Sequence, residues 1–191
     1  MDIKLFFGIL SLIGSIVCFV PYIIDIFKKK TKPHIYTWLI WTIIQTIGVI
    51  TQIRNGAGYG SLGLAVGTIF VFFIFLLSIK HGTKNISKFD ALCLILAAIT
   101  LLIYVGVKIP TITIVAVALT DMIGYIPTFR KTFDDPTTET PVFYFLVFLC
   151  NLLSILALQK YTFITMFYLV VLLVCNFSLL MMIFWRRKLL K

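Results

Sequence analysis

The stretch FVPYIIDIFKKKTKPHIYTWLIWTIIQTIGVITQIRN, residues 19–55, decides the fold. An apolar run ends at Phe27, a basic turn crowded with Lys28, Lys29, Lys30 and Lys32 follows, and a second apolar run begins near His34. Crossing a hydrocarbon core takes about 20 mostly apolar residues per helix. The same alternation of apolar run and short polar turn continues in both directions. It predicts spans at 3–27, 34–53, 60–79, 89–107, 111–130, 141–158 and 162–185. The expected fold class is an all-α integral membrane protein with seven transmembrane helices.

Composition excludes a soluble domain. Of 191 residues, 61% are hydrophobic and 13% are charged, against roughly 25% charged in a soluble protein. The first apolar run is too long for a signal-peptide core and has no small-residue cleavage site, so it is expected to remain. Cys18, Cys93, Cys150 and Cys175 lie inside apolar runs without metal-like spacing, and read as small hydrophobes. The connections are short, and loops of this length suggest that successive helices pack as antiparallel neighbours.

The net charge of +10 could suggest nucleic acid, but its placement follows membrane topology. One side holds Lys28, Lys29, Lys30, Lys32, Lys80, Lys84, Lys88, Arg130, Lys131, Arg186, Arg187, Lys188 and Lys191; the other holds only Lys4, Arg54, Lys108 and Lys160. Cytoplasmic loops carry the basic excess. The expected orientation is N-terminus outside and C-terminus cytoplasmic, and the Lys/Ile/Phe-rich composition leans to a bacterial inner membrane. No nucleic-acid partner is expected.

A shift of 106 residues places Pro21 on Pro127, Thr31 on Thr137, Trp38 on Tyr144 and Gln45 on Asn151. Only prolines and polar positions carry weight in such a match, because any membrane helix resembles another in its apolar residues. The match divides the chain into a first three-helix repeat (1–82), a linker transmembrane helix (83–109) and a second repeat (110–191). Two parallel three-helix bundles joined by one helix are the expected arrangement. The linker helix has few polar groups, Thr100 and Tyr104, as expected of a helix facing lipid.

This 3+1+3 pattern, with a proline near the cytoplasmic end of the first helix of each half, resembles the PQ-loop superfamily, which includes the SWEET-like transporters. The resemblance rests on Val20-Pro21-Tyr22 through Trp38 and on Ile126-Pro127-Thr128 through Tyr144. Tyr22 and Thr128 stand where the family has glutamine. The resemblance implies alternating access around a central site. It also implies an Asn of the third helix of each half as a solute ligand, a place taken by Asn176 in one half and by Thr68 in the other.

Individual residues suggest the site. Asp121 falls about 15 Å into its helix at 1.5 Å per residue, where a carboxylate costs about 2.5–3.5 kcal/mol and normally faces a bundle interior or a water-filled cavity. It reads as a proton-coupling or cation-binding group, with a structural carboxyl as the alternative. Trp38, Trp41, Gln45, Gly48 and Gln52 form a stripe at helical spacing, answered by Tyr144, Phe148, Asn151 and Ser154. Aromatic planes beside amides suit a small polar solute; an interfacial belt and interhelical glue are the alternatives. Pro21 and Pro127 each remove a backbone hydrogen bond and read as hinges. The same shift pairs Asp25 with Lys131, a conceivable gate contact beside ordinary snorkelling. His34 and His81 read as surface residues, and Asp134, Asp135 and Glu139 as a solvated acidic loop.

The expected substrate-binding set is therefore Trp38, Gln45, Thr68, Asp121, Tyr144, Asn151 and Asn176. The chain shows no nucleophile–base pair, metal set or cofactor fingerprint, so neither an enzyme nor a cofactor is expected. The best reading is a transporter of a small polar solute such as a sugar or amino acid, with protons as a further partner and a homo-oligomer left open. A membrane receptor or sorting protein on the same scaffold is the alternative.

Overall fold

A computed structural model describes residues 2–84 and 86–190; Lys191, counted above among the basic residues, lies outside them. Seven α-helices and two short 3-10 turns account for the regular structure of the described residues: α1 (Ile3–Phe27), α2 (Ile35–Arg54), α3 (Leu62–His81), α4 (Lys88–Gly106), α5 (Pro110–Asp134), α6 (Pro141–Leu156) and α7 (Phe163–Leu189). Six are long and apolar enough to cross a membrane, and the chain is a membrane protein. The exception is α6. Its 16 residues rise about 24 Å at 1.5 Å each, short of a core about 30 Å thick. The expected span of 141–158 ends early because Ala157 and Leu158 turn to meet the α2–α3 connection, where Gln159 donates its N–H to the Ala57 carbonyl at 3.1 Å.

Local chemistry explains where the helices begin. Asp2 caps α1 by accepting from the Lys4 N–H at 3.0 Å. Reciprocal capping boxes start α4 (Ser87 with Asp90) and α7 (Thr162 with Thr165), satisfying donors that would otherwise be orphaned. Pro110 and Pro141 occupy first-turn positions, where a missing N–H costs nothing. Pro21 and Pro127 lie inside continuous helices.

The helices turn large apolar residues outward and gather small and polar residues, along with an aromatic and aliphatic core, inside. On α1 the buried face carries Gly8, Ser11, Ser15 and Cys18, while Ile9, Ile13, Ile16 and Val20 are exposed. Water would reverse that pattern; lipid permits it, because membrane helices associate through small residues and interhelical hydrogen bonds.

Packing meets the expectation of sequential neighbours for α2 with α3, α4 with α5 and α6 with α7, and departs from it elsewhere. Neither α1 and α2 nor α5 and α6 pack on each other. Instead α3 lies against both α1 and α2, and α7 against both α5 and α6; α1 packs on α6, α2 on α5, and α4 on α2 and α5. A six-residue connection can reach about 20 Å, enough to step over a helix about 10 Å across.

Candidate functional site

Six of the seven helices converge on a cavity of about 50 Å³, with only α4 absent from its wall. From α2 come Trp38, Trp41 and Gln45; from α6, Phe143, Asn151 and Ser154; from α7, Asn176; from α5, Tyr125; from α1, Ser15, Cys18 and Phe19; and Gly63 and Gly67 of α3 complete it. The volume admits a few waters and lies well below the roughly 300–1,000 Å³ of an open ligand pocket. Among the described residues its wall carries no charged side chain.

Two donors of the wall lack partners among the described residues: the Trp41 indole Nε1–H and the Asn151 Nδ2–H. A buried donor left unmade costs about 1–3 kcal/mol, so this wall favours whatever brings acceptor oxygens to it. Asn176 is partly committed, donating through Nδ2 to the Leu172 carbonyl at 2.7 Å.

The structure brings together Trp38, Gln45, Asn151 and Asn176 and leaves out three other residues of the expected set. Thr68 is half-buried and donates to the Leu64 carbonyl at 2.8 Å, one turn back on its own helix. Tyr144 is turned toward the basic end, its hydroxyl donating to Glu139 Oε2 at 3.0 Å. Asp121 stands one layer behind the wall, fully buried. Its Oδ1 accepts from the Tyr168 hydroxyl at 3.5 Å, and its Oδ2 has no partner among the described residues. The Tyr168 ring lies flush on α2 at Gly48, where an added Cβ would come within 2.6 Å of it. Gly48 leaves room for that ring.

Beneath the cavity, toward the basic end, rings fill the interior. Tyr22 meets Phe143 at 4.6 Å and Trp38 at 5.1 Å between centroids, Phe19 meets Phe143 at 5.1 Å, and Tyr144 meets Phe143 at 5.0 Å. Below these rings lies a buried polar latch. Lys131 pairs with Glu139 and donates to the carbonyls of Lys32 at 2.8 Å and Thr138 at 3.2 Å. The Thr31 and Thr140 hydroxyls are 2.6 Å apart, and Thr140 donates to Asp25 at 2.8 Å. The loop after α1 is thereby fastened to the segment before α6. Asp25 and Lys131 do not pair, since each has another partner, and Glu139 is buried rather than solvated.

A second ionic cluster ties α4 to its neighbours. Asp90 accepts from Arg130 at 2.7 Å and meets His34 Nε2 at 3.2 Å. His34 is buried rather than on the surface. Burial pushes its imidazole below the ordinary value, against the pull of Asp90. The linker helix also bonds α5 through the Thr100 and Thr120 hydroxyls, so its buried edge is more polar than expected. His81 is half-buried, its ring edge-on to Phe27 at 5.7 Å.

At the opposite end the closure is slighter. The Ser11 and Ser154 hydroxyls are 2.6 Å apart, and Ser11 reaches the Cys150 carbonyl at 3.2 Å. Gly60 backs closely onto α6, where an added Cβ would stand 2.8 Å from the Ser154 carbonyl.

Trp41 lies on the stripe that helical spacing marks, whereas spacing does not reveal Tyr125 and the small α1 residues as part of the same wall, although Ser11, Ser15 and Cys18 at three- and four-residue intervals mark an inward face. Compared with family models, with curated proteins and with solved structures, the chain gives no match.

Proposed function

We propose that the protein is a transporter of a small uncharged polar solute, working by alternating access on a PQ-loop-like 3+1+3 scaffold. The observation that carries this reading is the small charge-free cavity walled by six helices, two of whose lining residues, Trp41 and Asn151, each keep a buried donor without a partner among the described residues. Exchanging α1, α2 and α3 with α5, α6 and α7 leaves the pattern of packing among these six helices unchanged, while among the described residues α4 packs on α2 and α5 alone; this supports two repeats with α4 outside the symmetry. The 106-residue shift also pairs wall with wall: Phe19 with Tyr125, Trp41 with Val147 and Gln45 with Asn151.

In this reading the basic end is cytoplasmic and the N-terminus lies outside. One three-helix bundle rocks against the other about Pro21 and Pro127, exposing the cavity to each side in turn. Trp38 packs against the solute, while Gln45, Asn151, Asn176 and Trp41 bond its oxygens. Asp121, behind the wall beside Tyr168, accepts a proton during the cycle and so couples transport to it.

The test is a thermal-shift screen of the purified protein with uncharged hydroxylated solutes, followed by uptake into proteoliposomes. A protecting solute should lose its effect about tenfold in Asn151→Leu, where one bond in the wall is lost. Asp121→Asn should abolish accumulation driven by a pH gradient while leaving exchange at equal pH. Equal protection of wild type and Asn151→Leu would remove the cavity as the site. Full gradient-driven uptake in Asp121→Asn would remove the coupling role.

A further inference from the structure

On the lipid-facing side of α6 and α7 lies a groove of about 580 Å³ walled by Val142, Phe145, Phe148, Phe177, Met181 and Phe184. Phe177 to Phe184 is two helical turns, about 10 Å of groove. Its wall is carbon until the basic end, where Arg187 closes it. Arg187 donates to the Pro136 carbonyl at 3.1 Å and the Glu139 carbonyl at 2.8 Å. A guanidinium has five N–H donors, and among the described residues no carboxylate pairs with this one. Lys188 beside it is exposed, and Trp185 is exposed at the same level, as expected of a headgroup zone.

We infer that this groove is a binding site for an anionic phospholipid, with an acyl chain along the phenylalanines and the headgroup phosphate on Arg187. Charge selects the occupant. An uncompensated guanidinium beside a lysine favours a net-negative headgroup over a zwitterionic one, which brings its own cation. A second copy of the chain fits poorly: α6 and α7 contain no Asp or Glu, and a two-fold contact through this face would set Arg187 and Lys188 against themselves. The carbonyls that Arg187 holds belong to the loop that carries Glu139, so a lipid here also steadies the latch. None of this depends on what the cavity holds.

The experiment titrates dioleoyl-phosphatidylglycerol or dioleoyl-phosphatidylcholine into the purified full chain in detergent, reading retained lipid by native mass spectrometry and melting temperature in parallel. Phosphatidylglycerol should be retained and raise the melting temperature, and phosphatidylcholine should do neither. Arg187→Gln should weaken retention about tenfold, as expected for a lost charge-assisted bond. Val142→Trp should weaken it comparably by filling the groove while sparing both carbonyl bonds, and decides the matter should Arg187→Gln fail to fold. Equal retention of the two lipids overturns the proposal, as does unchanged phosphatidylglycerol binding in Val142→Trp. Protection by inorganic phosphate equal to that by the lipid, or a dimer cross-linked through α6 and α7, overturns it too.

Discussion

At the basic end Lys131 and Glu139 lie buried against each other beneath a layer of aromatic rings, whereas the opposite end is held by the Ser11–Ser154 hydroxyl pair and the close approach at Gly60. The two closures differ in what opening them costs. Separating a buried ion pair strands charge in a medium that solvates it badly, while parting two hydroxyls gives up about 0.5–1.5 kcal/mol. The lesson is an order of events. On the proposed alternating-access cycle, the basic end is the costlier of the two to open.

Breaking the lock should have the largest effect. Lys131→Met leaves Glu139 buried without its cation and should destabilise the protein by about 3–5 kcal/mol, read as unfolding in detergent. Adding Glu139→Leu to it should restore much of that loss, because two apolar groups replace two charges. A double variant as unstable as the single one would mean that packing, not charge, governs this end.

The ionic cluster at α4 sharpens the comparison through pH. Because burial lowers the His34 pKa in the folded protein, the unfolded chain binds the proton more readily. Its contribution to stability is therefore complete above the unfolded value of about 6.5 and is lost as pH falls below it toward the folded value. Melting temperature should fall with acidification across that window, and His34→Gln should flatten the fall. An unchanged slope in the variant would place the acid sensitivity elsewhere.

The smallest effect belongs to the slighter closure. Ser11→Ala removes one hydroxyl of the pair and should cost about 1 kcal/mol, measured by the same unfolding assay. A loss as large as that of Lys131→Met would erase the asymmetry between the ends.

Much of this was legible in the sequence, and the boundary is physical. Hydropathy located the helices because lipid demands long apolar runs, and helical spacing put Trp38, Gln45 and Asn151 on one inward stripe each. Asp121 was legible as buried, yet whether its side chain reaches the cavity depends on how α5 is rotated against α2 and α7. Tyr144 occupies the place of Trp38 in the shifted alignment but turns to Glu139, a partner five residues away across the start of α6. Asp90 meets His34 and Arg130 across 56 and 40 residues of chain. No local pattern encodes such contacts. The crossing of α3 between α1 and α2 is likewise a property of the assembled bundle, invisible in a loop of seven residues.

The account turns on a central cavity reached more easily from one side, and the wall carries its own probe. Cys150 lines the cavity, and with Cys18, Cys93 and Cys175 replaced by alanine it becomes the sole thiol. Its labelling by an impermeant thiol reagent should be measured in intact cells and in inside-out vesicles. Cys150 should react slowly from outside and more slowly still from the cytoplasmic side, with Ser11→Ala raising the outside rate and Lys131→Met the cytoplasmic one. Labelling that is faster from the cytoplasmic side than from outside with the latch intact, or no change in either variant, would contradict the account.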